Sequence, residues 1–252
     1  MGTHIIYIFL LCIGASFIQR TTGFGFGIFI MTMLPFLLPS YGEATTLSGL
    51  LALTTSAAIS YRLRKVVSWR RLLPILLTFI AVSALAVFSL RSIDDSLLRR
   101  ILGVVLVFAS LYFIFLSSRI HIRPTLPFQV TAGAVSGVLG GFFGMQGPPA
   151  VLYFISSEPD NEHYMAIAQT YFFLGNLAMT FFRAGNGFLT PAVGWSYLYG
   201  LGGVILGTTL GSMVYRHIPS AALKYIVYSY IGVSGVIVFF TASGACLWSG
   251  RG

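Results

Sequence analysis

Charged residues are scarce in this sequence. Of 252 residues, 15 are Lys or Arg and 6 are Asp or Glu, which is 8% of the chain, whereas 56% are hydrophobic. Soluble domains carry roughly a quarter charged residues, and a soluble chain of this composition would expose far more apolar surface than monomers tolerate. The composition excludes an ordinary soluble protein and indicates a polytopic membrane protein. Its net charge of +9 follows the positive-inside rule, and no nucleic-acid partner is expected.

Clusters that could carry catalysis are also missing. Cys12 and Cys246 lie in apolar runs with no CxxC spacing, so both are interpreted as packing residues. The 4 histidines fall near the ends of predicted spans, and no Asp or Glu lies in the middle of one. An enzyme is therefore the weakest interpretation, and no cofactor or metal is expected.

The few charges divide the chain into uncharged stretches that can be compared with a bilayer. Crossing the hydrocarbon core takes about 20 apolar residues as a helix. The uncharged stretches are 1–19, 21–42, 44–61, 72–90, 101–118, 124–157, 164–182, 184–215 and 225–250. Their continuous apolar runs favour helices over the alternating strands of a barrel. Nearly the whole chain is predicted to lie in lipid or in short turns.

Two stretches, 5–38 and 128–157, are too long for one helix and rich in Gly and Pro. The first is interrupted by the glycines of segment 23–27, and the second by segment 140–149, which contains Pro148 and Pro149. Proline removes an amide donor and clashes with the preceding turn. Each stretch is therefore predicted to be two half-helices that meet at a bend.

The chain also contains an internal repeat. Segment 91–101 parallels 216–226, Trp69 parallels Trp195, and the two glycine-rich breaks align with one another. We predict one transporter domain over 1–252, with repeat 1 at about 5–117, a linker at 118–127 and repeat 2 at about 128–242. This corresponds to about eight transmembrane helices, with the first helix of each repeat broken.

Charge counting leaves the orientation of the repeats open. The basic cluster at 62–71 is expected to face the cytoplasm. If each broken stretch enters and leaves the membrane on the same side, the two repeats are inverted relative to one another. If each broken stretch crosses the membrane once, the repeats are parallel. The acidic loop with Glu158 favours the parallel layout, whereas Arg216 and Lys224 favour the inverted one. The hairpin-like breaks favour inversion.

Repeated halves with corresponding interruptions indicate a transporter whose site lies where the interruptions meet. Arg20 directly precedes the first break and suggests an anionic substrate, although it could instead snorkel to the interface. Gln146, Gln169 and Asn176 could bind oxygens of an oxyanion, or they could only bond neighbouring helices. Irregular backbone of this kind is tolerated at membrane depth where it lines a cavity or is buried in protein. The alternative to a binding site is that these glycines only allow close packing of helices.

Other features receive structural interpretations. Gly203, Gly207 and Gly211 recur every four residues, as expected for close helix packing. Arg183 is interpreted as an interface anchor. Glu43 and Glu162 are expected in first turns, where acidic residues favour the helix dipole.

The pair of motifs resembles a known family. Gln19, the segment Thr22-Gly23-Phe24-Gly25 and, in the second half, the segment 144–149 are similar to the signatures of the TauE/SafE sulfite exporters. The resemblance covers essentially the whole chain and implies a plasma-membrane permease for sulfite or organosulfonates. The chain departs from the common pattern at Arg20 and Gln146. The predicted substrate-binding residues are Gln19, Arg20, Thr22, Gly23, Phe24, Gly25, Gly144, Met145, Gln146, Gly147, Pro148, Gln169 and Asn176.

The leading hypothesis is a carrier that exports a small anion by alternating access. Moving one negative charge out of a negative-inside cell releases about 2.3 kcal/mol per 100 mV, so no coupled ion is required. A homo-oligomer is possible. The alternative is a non-transporting membrane scaffold or assembly factor, which predicts tightly packed helices without a cavity at the membrane midplane.

Overall fold

The computed structural model describes residues 2–116, 125–214 and 220–241, and in them all regular structure is helical, which confirms the all-α class. Most of the predicted linker and Cys246 lie outside these residues. The helices are α1 (Gly2–Thr22), α2 (Phe26–Ile30), α3 (Leu34–Leu37), α4 (Tyr41–Leu63), α5 (Trp69–Ser89), α6 (Asp95–Leu111), α7 (Leu126–Phe143), α8 (Gly147–Ser157), α9 (Asn161–Gly185), α10 (Pro191–Val214) and α11 (Ser220–Thr241).

Side chains cap the two helices that form the centre of the fold. Ser40 accepts a hydrogen bond from the amide of Glu43 at the start of α4, and Asp160 accepts one from the amide of His163 at the start of α9. Such caps satisfy amides that have no partner inside the helix. Hydrogen bonds from His163 lower the pKa of Asp160, because they stabilise its charged form. Glu43 and Glu162 lie in first turns, as predicted.

The outer surface of the bundle is apolar. Leu77, Leu85, Phe108 and Trp195 are each more than 60% exposed, which fits a lipid environment and not water. Of the helices in the described residues, four are long and apolar enough to cross a membrane: Ile5–Thr22, Trp69–Ser92, Leu126–Phe143 and Asn161–Gly185. The chain is a multi-pass membrane protein.

The predicted glycine stripe on α10 packs against α1. A β-carbon on Gly203 would collide with the carbonyl oxygen of Phe9, and one on Gly211 would lie 3.1 Å from that of Phe17. Gly207, between them, approaches α1 equally closely. The stripe is confirmed as a close-packing surface, and the order of contacts shows that α1 and α10 run parallel.

Helices α5 and α7 form a second parallel pair. A β-carbon on Gly133 of α7 would lie 2.6 Å from the carbonyl oxygen of Ile75, and one on Gly141 would lie 3.1 Å from that of Ser83. Small residues on α7 therefore allow the backbone of α5 to approach closely, as the glycines of α10 allow the backbone of α1 to do. This stripe was not predicted from the sequence.

Helices α4 and α9 cross the centre of the molecule in antiparallel directions. The carbonyl of Thr45 accepts a hydrogen bond from Arg183, whereas Ser60 is hydrogen-bonded to Thr170. The first half of α4 is almost completely buried, although it is rich in Ser and Thr. Small and polar residues therefore form part of the contact between these two helices, inside a core that also contains buried aliphatic and aromatic side chains.

Helices α6 and α11 form an antiparallel pair at the periphery. A β-carbon on Gly103 of α6 would lie 2.7 Å from the amide nitrogen of Phe239, and one on Gly232 would lie 2.6 Å from the hydroxyl of Ser110. Backbone contact through small residues thus recurs in this pair, as expected where apolar burial against lipid provides little driving force.

Replacing Gly207 with Ala should destabilise the fold although Ala is the better helix former. The added β-carbon would collide with the carbonyl oxygen of Ile13, so α1 and α10 must separate, at an expected cost of about 1–3 kcal/mol. The matched control is Gly194→Ala in the same helix, because a β-carbon there meets nothing within 4 Å. Thermal unfolding in detergent measures both variants, and equal unfolding temperatures would contradict the packing role.

Candidate functional site

The first helix break lies between α1 and α2. Helix α1 ends at Thr22, and the backbone then passes through Gly23 and Gly25 with φ of 85° and 98°. This left-handed conformation is strained for residues with a β-carbon. The hydroxyl of Thr22 contacts the carbonyl oxygens of Ile18, at 2.9 Å, and Phe24, at 2.7 Å, and donates its hydrogen to one of them.

The second break lies between α7 and α8. Gly144 has φ of 67° and ends α7, with hydrogen bonds from its amide to the carbonyl of Gly140 (3.0 Å) and from Met145 to that of Leu139 (3.1 Å). This pair of bonds is typical of a glycine that terminates a helix. Helix α8 starts at Gly147 with prolines in its first turn, where a missing amide hydrogen is tolerated.

The two breaks meet inside the bundle. A β-carbon on Gly27, in the first turn of α2, would collide with the carbonyl oxygen of Gly144. Gly147 lies beside the ring of Phe24, since a β-carbon there would be 3.8 Å from the ring. Segments about 120 residues apart in the sequence are therefore in backbone contact.

A small cleft lies at this junction, with a volume of about 30 Å³, enough for about one water molecule. Of the predicted site residues, Gln19, Phe24, Gly25, Gly144, Met145, Gln146, Gly147 and Asn176 line it. The sequence analysis missed Phe26, Gly27, Ile28, Ala52 and Phe172 as lining residues. Gly27 belongs to the first glycine motif and could have been included, whereas Ala52 and Phe172 lie on α4 and α9 and carry no sequence signal.

The polar side chains of the cleft come from α1, α9 and the second break. Gln19 donates from Nε2 to the hydroxyl of Ser56 at 3.2 Å, and Gln146 donates to the carbonyl of Phe172 at 3.3 Å. The Oε1 atoms of both glutamines are buried and have no hydrogen-bond partner in the described part of the chain. Buried polar atoms without partners are uncommon, so the cleft has unused capacity for a polar ligand or water.

Gln169 lies beside the cleft and holds the first break. Its Nε2 donates to the carbonyl oxygen of Gly23 at 2.8 Å, and its Oε1 lies 3.4 Å from Nε2 of Gln19. Gly23 lies immediately after the end of α1, where carbonyls lose their helical partners. Gln169 thus supplies one of the missing hydrogen bonds.

The remaining predicted residues lie elsewhere. Arg20 is half-buried, and its stem packs on α10, with Cβ 2.9 Å from a β-carbon placed on Gly211. Thr22 bonds locally within the break. Pro148 lines a separate groove of about 410 Å³ that is almost wholly apolar and shares only Ile28 and Met145 with the cleft. Substrate binding by these residues stays a prediction.

The interpretation of Arg183 as an interface anchor is wrong, because its side chain is fully buried. Its guanidinium donates to the carbonyl oxygens of Thr45 (2.8 Å), Gly140 (2.9 Å) and Gly141 (3.4 Å). Two of these carbonyls belong to the last turn of α7, so Arg183 holds the second break. The sequence offered one signal for this: Gln169, Asn176 and Arg183 recur every seven residues and share one face of α9.

A membrane helix bundle with a polar cleft where two helix ends meet is typical of membrane transport proteins. A family model described as "Sulfite exporter TauE/SafE" matches residues 8–238, so the chain belongs to this family of transporters. A curated relative, the "Probable sulfite/organosulfonate exporter TauE" of Cupriavidus necator, is 24% identical over 200 residues, which cover 78% of each chain. No solved structure gives a significant match. The resemblance inferred from the motifs is confirmed.

Replacing Gly27 with Ala should push the two breaks apart. The added methyl group would meet the carbonyl oxygen of Gly144, which is backbone and has little freedom to move, so we expect a loss of about 1–3 kcal/mol in unfolding free energy. Gly147→Ala is the matched control, since a β-carbon there has no neighbour closer than 3.8 Å. If thermal unfolding is the same for both variants, the close approach of the breaks is not needed for stability.

Proposed function

We propose that the protein exports a small sulfur oxyanion, such as sulfite or an organosulfonate, across the plasma membrane by alternating access. The observation that carries this proposal is the junction of two helix breaks, with glutamine amides from both halves of the chain in a buried cleft. The family name and the name of the relative support the substrate class. The residues proposed to bind substrate are those of the cleft, principally Gln19, Gln146 and Asn176.

The chemistry of the cleft suits an oxyanion. Its lining includes three side-chain amides and no carboxylate, so a negative charge meets no repelling acid. To donate to an anion, Gln19 and Gln146 exchange their bonds to Ser56 and Phe172 for bonds to the ligand. Helix α8, of 11 residues, begins at the cleft with Gly147 and has its positive dipole end there, although Pro148 and Pro149 have no amide hydrogen to donate. Amide groups can rotate to present either NH₂ or oxygen, so the unpartnered oxygens do not oppose an anion.

We further propose that the fold is an inverted repeat of two four-helix units, at about 5–117 and 128–242. In this arrangement α1 corresponds to α7, and α10 corresponds to α5. Exchanging the units therefore converts the parallel pair α1 and α10 into the parallel pair α7 and α5. The antiparallel pairs, α4 with α9 and α6 with α11, are each unchanged by the exchange. A two-fold axis in the membrane plane produces this pattern, because it reverses every helix that it relates.

An ion pair between loops supports the inverted layout. Arg71, the last residue of the basic cluster at 62–71, lies 3.2 Å from the carboxylate of Glu158, which also accepts a hydrogen bond from Ser68. Glu158 follows α8, so the second broken stretch ends on the same side as the basic cluster. That side is expected to be cytoplasmic, and the parallel layout would put Glu158 outside.

The non-transporting scaffold has one observation in its favour, which is the small volume of the cleft. A space of about 30 Å³ is less than a sulfonate needs, so transport requires the two breaks to separate. In the transporter, this compact arrangement is one state of an alternating-access cycle.

Flux into proteoliposomes tests the transport proposal. Purified protein should move sulfite or methanesulfonate at a saturable rate, whereas protein-free vesicles should not. A scaffold would show no anion-dependent flux for any sulfite, sulfonate or carboxylate tried.

Gln146→Ala should raise the apparent KM for the transported anion by about 10- to 100-fold, because a hydrogen bond to a charged group contributes about 1.5–3 kcal/mol. The matched control is Gln129→Ala, which removes a buried glutamine bonded to Tyr153, away from the cleft. An unchanged KM in Gln146→Ala would show that the transported anion does not bind at Gln146.

Accessibility of introduced cysteines tests the inverted layout. In a background with Cys12 and Cys246 replaced by Ser, Pro159→Cys and Lys65→Cys should react with an impermeant maleimide from the cytoplasmic side, and Ser92→Cys from the opposite side. Labelling of Pro159→Cys from the same side as Ser92→Cys would support parallel repeats instead.

A further inference from the structure

Arg183 carries a positive charge in the interior of the membrane domain. Its side chain is fully buried between α4, α7 and α9. The guanidinium donates to three backbone carbonyls, and its Nε has no acceptor in the described residues. Carbonyl oxygens satisfy hydrogen bonds, but they carry no net charge that could neutralise the arginine.

No acidic side chain forms an ion pair with Arg183 within the described residues. The ion pairs found there join Arg71 to Glu158 and His163 to Asp160, both in loops or at helix ends. A buried charge without a counter-charge is strongly unfavourable, and such residues in membrane proteins mark functional sites by default.

The charge lies directly behind the cleft. A β-carbon on Gly49 would lie 2.9 Å from Nη1 of Arg183 and 3.7 Å from Oδ1 of Asn176, a cleft residue. On the other side, the carbonyl of Gly140 accepts a hydrogen bond from Arg183. A β-carbon placed on Gly140 would lie 3.1 Å from Cβ of Gln146. Arg183 thus lies close to two cleft residues, Asn176 and Gln146.

We propose that Arg183 is the electrostatic determinant of anion selectivity, and that the bound anion is the counter-charge which the protein itself lacks. Arg183 acts as a positioning residue through Asn176 and Gln146, without touching the substrate in this conformation. The inference rests on the proposed function for the identity of the cleft. Arg20, the arginine favoured by sequence position, packs on α10 and does not line the cleft.

The test compares an anion with a neutral molecule of the same shape. Binding of methanesulfonate and of dimethyl sulfone to the purified full chain in detergent is measured by ligand-induced thermal shift and calorimetry. The wild type should prefer the anion. In Arg183→Gln the affinity ratio of anion to sulfone should fall roughly 10- to 100-fold, as expected for loss of a nearby charge in an environment of low dielectric constant.

Two further variants separate charge from packing. Arg183→Lys keeps the charge and should keep most of the affinity ratio of anion to sulfone. The ratio should persist even if the loss of the arginine hydrogen bonds makes the protein less stable. Arg91→Gln removes an exposed arginine and should leave the ratio unchanged. A purely structural role would weaken anion and sulfone alike, and an unchanged ratio in Arg183→Gln would overturn the proposal.

If Arg183→Gln does not fold, the wild type decides the question, because equal stabilisation by methanesulfonate and dimethyl sulfone would overturn the proposal. Failure of the transport proposal is distinguishable. Selective anion binding that depends on Arg183, without flux in proteoliposomes, would sustain this inference and reject the carrier. Flux in proteoliposomes together with an unchanged affinity ratio in Arg183→Gln would sustain the carrier and reject the role of Arg183.

Discussion

The structure depends on one constraint: backbone groups freed by a helix break inside a membrane must find partners within the protein. Helix α9 supplies them for both breaks. Gln169 donates to the carbonyl after α1, and Arg183 donates to the carbonyls that end α7. These residues share one face of α9 and are 14 positions apart, or about 21 Å. One helix therefore contacts both helix ends, and Asn176, a cleft residue, lies between its two contacts.

Close approach of backbones is the second requirement, and it explains why the centre of the molecule is less apolar than its surface. Apolar side chains gain little from burial when the alternative environment is lipid, so contact, shape and hydrogen bonds decide which helices pair. Helix α4 faces α9 with small and hydroxyl-bearing residues, and it is not among the helices that qualify as spans by hydropathy. Hydropathy therefore identifies α9, which contributes Phe172 and Asn176 to the cleft, but not its central partner α4.

This difference also determines how much could be predicted from the sequence. The all-helical class and most cleft residues near the glycine motifs follow from local composition and spacing, and the family follows from the resemblance of those motifs to known signatures. The interface position expected for Arg183 was wrong, because the position of a residue along the chain does not specify its neighbours. Arg20 is adjacent to a motif but faces α10, whereas Arg183 is about 40 residues from the second break and bonds to it. Only the packing of α9 against α4 and α7 brings Arg183 there.

The carbonyls that hold Arg183 also bear on transport. A carrier must bind its cargo strongly enough to capture it and weakly enough to release it. A free guanidinium in a dry cleft would bind an anion as a buried ion pair, which separates slowly and at a high cost in free energy. Three carbonyl dipoles directed at Arg183 reduce its positive potential without cancelling its charge. Because two of them belong to the broken helix, any movement of α7 that lengthens these bonds raises the potential at the cleft, and any movement that shortens them lowers it. On the proposal that the cleft binds an anion, its affinity would be coupled to the geometry of the break.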